Sequence, residues 1–467
     1  MIPTAEQFDL VVIGGGPGGY AAALYASAAG LNCAVVERDK VGGTCLHRGC
    51  IPAKEFLETA HVYRTVAESA KFGVSVGPPT IDFRVAQTRK QQVVDQLWKG
   101  LQGLMKKRKI TTINGTGTLL PGNIVQVSDG TQLRGTNIIL AAGSVPRTIP
   151  GFDPDGRLVF TSDEFLDLTV MPSTAVVIGA GAIGCEFAST MSDLGTKVTI
   201  LEAMPKMLPG CDVDVVDVVA KSFKKRGIDV RLGVPVKGHS PTSDGSQTTV
   251  HFGEGETITV DMVVVSVGRR PRVEELLAEG TGVTVTDRGH VAVDTLMRTS
   301  APNVYAIGDL VPTPALAHIG YAEAIVAVKN ILGEHVIPID YDRVPWCIYC
   351  HPEVAFAGMS EEQAIAAGHE VIVKKERMLG NGRAMIVGET DGMVKVITKK
   401  NPNGTAGQIL GVHMVGPWVT EQLGQAYLAV NWEASVDEVA QFVQPHPSIS
   451  ETFGEAMLAL TGRGLNG

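Results

Sequence analysis

The sequence predicts an α/β protein, with two Rossmann-like dinucleotide-binding domains followed by a separate C-terminal α+β domain. Three observations predict the architecture. A strand, glycine turn, helix and strand fill residues 8–37, the same order recurs over 175–202, and after Pro338 the pattern changes to alternating strands. In the first unit FDLVVIG (8–14) is a short apolar run rich in β-branched residues, 18–29 suits a helix, and 33–37 is the next strand. In the second unit AVVIG, a glycine turn, a helix through Glu186 to 194 and the strand KVTILE repeat that order. Strand-like runs end in glycine at 138–143 and 262–268, and 291–309 reads as strands closing on another glycine turn. A helix is expected over 319–331. Strands are then expected at 354–358, 371–374, 393–397 and 408–415, with helices near 419–430 and 436–441.

The chain has 467 residues, enough at roughly 150 per domain for two to four domains. Hydrophobic residues make up 44% and charged residues 19%, a globular balance that argues against disorder or a coiled coil. The 54 glycines point to several loops where backbone approaches a ligand closely. A net charge of −9 gives no basic footprint for nucleic acid, and the run Lys106, Lys107, Arg108, Lys109 reads as a solvated helix end. No apolar run approaches the ~20 residues that span a bilayer. The glycine-rich opening lacks a basic leader and carries Glu6 and Asp9 ahead of it, so a cytoplasmic protein is expected. Seven cysteines in such a chain do not make a secreted disulfide framework; a close pair is read as redox-active or metal-binding.

The first glycine motif, Gly14-x-Gly16-x-x-Gly19, follows a strand and opens a helix. Such glycines tighten the turn and let a pyrophosphate reach amides at the helix N-terminus. Glu37 ends the next strand, where a carboxylate can accept from ribose hydroxyls. Gly179-x-Gly181-x-x-Gly184 repeats this context and leads to Glu202, which would repel a 2′-phosphate and so favours NAD over NADP. Two dinucleotide sites in one chain suggest electron transfer between a tightly held flavin, FAD, and an exchanging nicotinamide. The expected division is 1–150 for the first part of the FAD domain, 151–272 for the NAD domain, 273–340 returning to the FAD domain, and 341–467 for the interface domain.

Between Glu37 and the next helix lies GGTCLHRGCIPAK (42–54), with Cys45 and Cys50 five residues apart. On a regular helix that spacing is a rise of roughly 7.5 Å, beyond the ~6.8 Å Cα separation a disulfide tolerates. A disulfide here must distort its helix, and strain eases reduction. Metal binding is the other reading, but no second cysteine pair or histidine cluster with zinc-like spacing accompanies it, and no metal is expected.

This segment closely resembles the active-site segment of the pyridine nucleotide-disulfide oxidoreductases, and within them of the dihydrolipoamide dehydrogenases, usually GGTCLNVGCIPSK. His47, Arg48 and Ala53 depart from that pattern without touching the sulfur positions. The resemblance continues in TSAPNVYAIGD (299–309), similar to the family's second flavin motif, which implies that Asp309 holds the ribityl chain. QPHPSISE (444–451) is similar to its histidine-glutamate dyad, which implies His446 as acid/base and Glu451 as its orienting partner. The resemblance further implies Lys54 and Glu186 as an ion pair beside the flavin. It implies flavin contacts at Gly43, Thr44, Gly117, Gly143, Ser144 and Ala317, and nicotinamide contacts at Val236 and Gly268.

Cys347-x-x-Cys350-His351 spells a haem-attachment pattern, but the stretch around it resembles the strand opening the family's interface domain. Cys33, Cys185 and Cys211 lie in or near the predicted dinucleotide-binding elements and are expected to be buried or half-buried. Within the family, the ending LALTGRGLNG without a terminal cysteine pair disfavours mercuric reductase and large thioredoxin reductase. The intact pair disfavours the transhydrogenase and coenzyme A disulfide reductase branches, and Glu202 disfavours the NADP-dependent glutathione and trypanothione branches. Leu316-Ala317-His318 also resembles the lipoamide branch. The implied activity is oxidation of dihydrolipoamide with reduction of NAD+. The implied state is a homodimer completing each site, with the C-terminal α+β unit as its dimerisation domain. The implied partner is free dihydrolipoamide or a lipoyl-bearing protein, and the implied setting a 2-oxo acid dehydrogenase complex. The alternative is a same-fold NAD(P)H-dependent reductase of another disulfide or of a quinone.

Overall fold

The computed structural model describes residues 5–465; the outermost residues of the expected first and last domains, 1–4 and 466–467, lie outside them. The first sheet runs in the order Thr111–Asn114, Cys33–Glu37, Glu6–Ile13, Gln132–Leu140, with the first four strands parallel. The outer edge of Gln132–Leu140 is divided. Residues 132–134 pair antiparallel with Ile124–Val127, which pairs in turn with Gly117–Leu120, while residues 138–140 pair parallel with Val304–Ala306. A strand distant in sequence thereby completes the first sheet. The second sheet is all parallel, ordered Asp229–Leu232, Lys197–Glu202, Thr174–Ile178, Met262–Val265, Val159–Phe160. Parallel strands covered on both faces must be apolar along their length, and Leu10 to Ile13 and Ala175 to Ile178 are buried without alternation.

A two-stranded link, Ser144–Pro146 with Arg269–Pro271, joins the two units, and Val236–Pro241, Thr248–Phe252 and Glu256–Val260 form a small antiparallel sheet. The last sheet is antiparallel, ordered Trp346–Ile348, Glu353–Gly358, Ala406–Gly416, Met393–Lys400, Val371–Arg377. Helices Val419–Asn431 and Glu451–Leu460 pack on it. One apolar cluster continues from Phe56 and Ala60, through Val177 and Phe187 of the second unit, to Ile348, Val354 and Phe356 of the C-terminal unit. Burial there costs water contact for all three units at once, so their relative placement is part of one core.

Two expectations change. Of 291–309 only Val304–Ala306 is a strand; the rest is bends, with Met297 and Asn303 at positive φ. Side chains there take the backbone partners a ladder would need, since Asp294 accepts from the Leu296 and Arg298 amides and Thr299 from that of Ala301. The segment 42–54, expected ahead of the next helix, is itself helical and interrupted: Gly43–Arg48 and Cys50–Ala67 are two helices broken at Gly49. The run at 106–109 follows the helix Phe83–Lys107, as expected of a helix end.

Candidate active site

Two turns of one design define the site. Gly14 has φ +105° and Gly179 has φ +106°, and a Cβ on either would strike the neighbouring strand's carbonyl, Ala141 or Ser266. Each turn opens a helix, Pro17–Ala28 or Ala182–Asp193, whose cap residue, Gly16 or Gly181, supplies no side-chain capping bond. The first-turn amides are therefore left to bind something else, which suits a pyrophosphate. Gly19 and Gly184 seat each helix on its own turn: their missing side chains leave room for the carbonyls of Gly14 and Gly179. Glu37 Oε2 accepts the Gly15 amide at 2.7 Å, and its Oε1 that of Asp39 at 2.9 Å. Glu202 repeats the pattern, Oε2 to the Ala180 amide at 2.7 Å and Oε1 to that of Met204 at 2.8 Å. Both carboxylates are thus held at the strand ends where ribose hydroxyls would lie.

Gly43, at φ +57°, meets the first turn directly: a Cβ there would lie 2.6 Å from Gly16 Cα. This brings Thr44 and Cys45 to the turn. Cys45 and Cys50 are half-buried free thiols, one on each side of the Gly49 break, and each shifts the acidity of the other. The Cys45 neighbour holds the Cys50 thiol below its ordinary value; burial opposes this, and the Lys54 cation assists. Cys45 is pushed up by its Cys50 neighbour and by burial. Lys54 lies one turn beyond Cys50 and donates to Glu186 Oε1 and Oε2, each at 2.9 Å. Burial alone would lower the ammonium, but the Glu186 charge outweighs it and holds Lys54 above its usual value.

Asp309 begins the short turn Gly308–Leu310 and accepts from Ser144 Oγ at 2.5 Å; Arg269 Nε donates to the same hydroxyl at 2.7 Å. Gly143, at φ +70°, faces open space, and Gly117 is packed against Ile13 and Val36 at the end of the first sheet. Ala317 starts the helix Ala317–Ile331, which crosses the first-motif helix at Gly18 and Gly320. Near the second turn, Val236 opens its strand and Gly268, φ +101°, receives the Arg147 amide at 2.9 Å. The uncapped first-turn amides, the Glu37 carboxylate and the open space at Gly143 fit FAD.

His446 and Glu451 form their own pair, Nδ1 to Oε1 at 2.8 Å, with the Ser448 amide on Oε2 at 2.7 Å. Burial pushes Glu451 up, but that amide and the ring outweigh it and hold the carboxylate below its usual range. The histidine side chain is 79% exposed, and no hydrogen bond or ion pair joins it to Cys45 or Cys50 within one chain. Cys347, Cys350 and His351 form no metal or haem cluster; His351 is pushed down to about 2 by burial and stays neutral. Among the described residues no group of histidines, cysteines and carboxylates could hold a metal, and no helix is long and apolar enough to cross a membrane.

Sequence reasoning missed five residues. Tyr349 covers Lys54, Arg269 supports Ser144, and fully buried Glu323 accepts the Gly308 amide at 2.6 Å and the Tyr341 hydroxyl at 2.9 Å. Tyr20 and Tyr321 join their hydroxyls across the two crossed helices beside the cysteines. Only Tyr20, directly after the first motif, had a positional signal.

A model of the pyridine nucleotide-disulphide oxidoreductases matches residues 8–324, and one of their dimerisation domain matches 344–457. The chain belongs to the pyridine nucleotide-disulphide oxidoreductase family. It is an FAD-dependent, NAD-linked oxidoreductase, and the dimerisation domain supports a homodimer. Among curated relatives, the dihydrolipoyl dehydrogenase of Bacillus subtilis is 39% identical over 99% of this chain and 100% of its own. Those of Chlorobaculum tepidum and Zymomonas mobilis are 37% and 36% identical, over 97% and 99% of this chain and 97% and 100% of theirs. Among solved structures, LpdA from Mycobacterium tuberculosis superposes with TM-score 0.89 at 25% identity, over 98% of this chain and 100% of that one. The HOCl-induced flavoprotein disulfide reductase RclA from Escherichia coli gives 0.86 at 27%, over 96% and 99%.

Proposed function

We propose that this family member is a dihydrolipoyl dehydrogenase: it oxidises dihydrolipoamide, free or on a lipoyl-bearing protein of a 2-oxo acid dehydrogenase complex, and reduces NAD+. The observation that carries the reading is the Cys45–Cys50 pair flanking the Gly49 break, with Lys54 one turn beyond Cys50 and paired to Glu186; the full-length relatives of that name support the substrate. We assign 1–150 and 273–340 to FAD, 151–272 to NAD and 341–467 to the interface. Free thiols at all seven cysteines suit a reducing cytoplasm.

In this reading Gly14, Gly16, Gly19, Glu37, Gly43, Thr44, Gly117, Gly143, Ser144, Asp309 and Ala317 hold FAD, and Gly179, Gly181, Gly184, Glu202, Val236 and Gly268 hold NAD. Glu451 accepts a hydrogen bond from the Nδ1–H of His446, which leaves Nε2 free to take a proton. His446 of a second copy removes a proton from one dihydrolipoamide thiol, and that thiolate attacks Cys45 of the Cys45–Cys50 disulfide. The S–S bond breaks, and Cys50 leaves as a thiolate stabilised by the Lys54 charge. Once His446 has passed the first proton to the departing Cys45 sulfur, it takes the proton of the second substrate thiol, which attacks the substrate sulfur of the mixed disulfide, closes lipoamide and releases Cys45 as a thiol. FAD, when bound, supplies the two-electron path from the sulfur pair to the nicotinamide.

Anaerobic titration with dihydrolipoamide tests this. A long-wavelength band from a thiolate against the flavin is expected, followed by NAD+ reduction. Cys50→Ser should abolish both the band and turnover. Undiminished dihydrolipoamide oxidation in Cys50→Ser would sink the assignment, and turnover of only another disulfide or a quinone would replace it.

A further inference from the structure

We infer that Tyr349 is a positioning residue for Lys54, and that the segment Tyr349 to His351 of the C-terminal unit sets the geometry of the Lys54–Glu186 pair. The inference rests on the proposed reading of that pair as the charges beside the flavin. An ammonium has three N–H donors. Two point to the Glu186 oxygens at 2.9 Å, and the ring of Tyr349 covers another side, with Nζ 4.7 Å from its centroid. A cation over a ring face is attracted to it, and the ring also blocks that direction to water. Lys54 needs such a wall. Its side chain is 34% exposed against 5% for Glu186, and a four-carbon stem would otherwise sample solvent.

The ring cannot drift on its own. Its backbone amide donates to Glu186 Oε1 at 2.9 Å, and one turn further along the same helix Ser189 Oγ accepts the His351 amide at 3.0 Å. Arg226 donates to the His351 carbonyl at 2.6 Å while also reaching Asp193, on the last turn of that helix, at 2.6 Å. The segment from Tyr349 to His351 is thus fixed at both ends to the helix that carries Glu186. The haem-like string Cys347-x-x-Cys350-His351 acquires a use through the residue it skips: Tyr349 is one of its spacers. The phenol oxygen has no hydrogen-bond partner among the described residues, so the ring face and not the hydroxyl acts on Lys54.

The test compares Tyr349→Phe, Tyr349→Leu and Tyr349→Met in the FAD-loaded dimer. The readouts are flavin content, kcat and KM, and the pH at which the long-wavelength band of the NADH-reduced protein disappears. Tyr349→Phe should match the native protein. Leucine and methionine should lower kcat about fivefold to thirtyfold, the range a cation–π contact spans, with flavin content and the dihydrolipoamide KM within about twofold. They should also move the loss of the band to higher pH, because a displaced Lys54 no longer favours the Cys50 thiolate. In a Lys54→Met background the leucine substitution should add nothing. A band and kcat unchanged in both Tyr349→Leu and Tyr349→Met overturn the inference, as does an equal loss in Tyr349→Phe. A native protein inactive on dihydrolipoamide overturns the function proposed above and leaves the band shift to decide the role of Tyr349.

Discussion

At the scale of single residues, the proposed chemistry rests on unequal members of like pairs. Cys45 and Cys50 are the same residue type and both half-buried, yet their coupling and the Lys54 cation drive their acidities apart. The sign gives a prediction. Because Cys50 is depressed, its thiolate persists as pH falls below the ordinary thiol range near 9 and disappears only at the lower folded value. The long-wavelength band of the reduced protein should therefore survive at neutral pH, as a spectrophotometric titration would record. A midpoint at the ordinary value would contradict the Cys50 geometry. Such residues were legible because sulfur spacing, glycine spacing and strand-end carboxylates each leave a sequence mark. Tyr349 and Glu323 left none: an aromatic in a strand-like run and a glutamate within a helix look like packing and surface until the partners are known.

At the scale of elements, the parallel strands announced themselves by unbroken apolar runs, and both glycine turns by the strand before and the helix after. The region 291–303 did not, because its Val, Met and Thr content resembles strand while Asp294 and Thr299 draw the backbone into bends. The cysteine segment was half legible. Their spacing called for a distorted helix, but the position of the break at Gly49 is set by packing: a Cβ there would stand 3.0 Å from the Thr44 carbonyl and 3.4 Å from Cys45 Cα. Gly49→Ala must therefore push the short helix Gly43–Arg48 away from Cys50–Ala67 by a few tenths of an ångström. We expect it to cost about 1 kcal/mol of stability and to slow reduction of the pair by dihydrolipoamide about tenfold. Thermal unfolding and stopped-flow absorbance measure the two; an unchanged rate would show that the break does not set the sulfur geometry.

At the scale of the whole molecule, the exposed His446–Glu451 pair stands apart from the cysteines of its own chain. A second copy must then bring it to them if it serves as the base. Mixing Cys50→Ser dimers with His446→Ala dimers under conditions of subunit exchange tests this, since each mixed dimer has one site with both groups intact. Recovery to about a quarter of native turnover is expected, as half the dimers are mixed and each has one working site of two. No recovery despite exchange, shown by mass, would place the base within the chain.

The twin carboxylates have a consequence for any attempt to change coenzyme preference. Glu202 is at once the group that would exclude a 2′-phosphate and the acceptor that ties the Ala180 and Met204 amides. Removing it to admit the phosphorylated coenzyme would orphan two donors, one in the glycine turn proposed to grip the pyrophosphate and one just beyond the strand. Selectivity and loop rigidity are one feature here, so re-engineering must supply a neutral acceptor for those amides before it adds a cation for the phosphate.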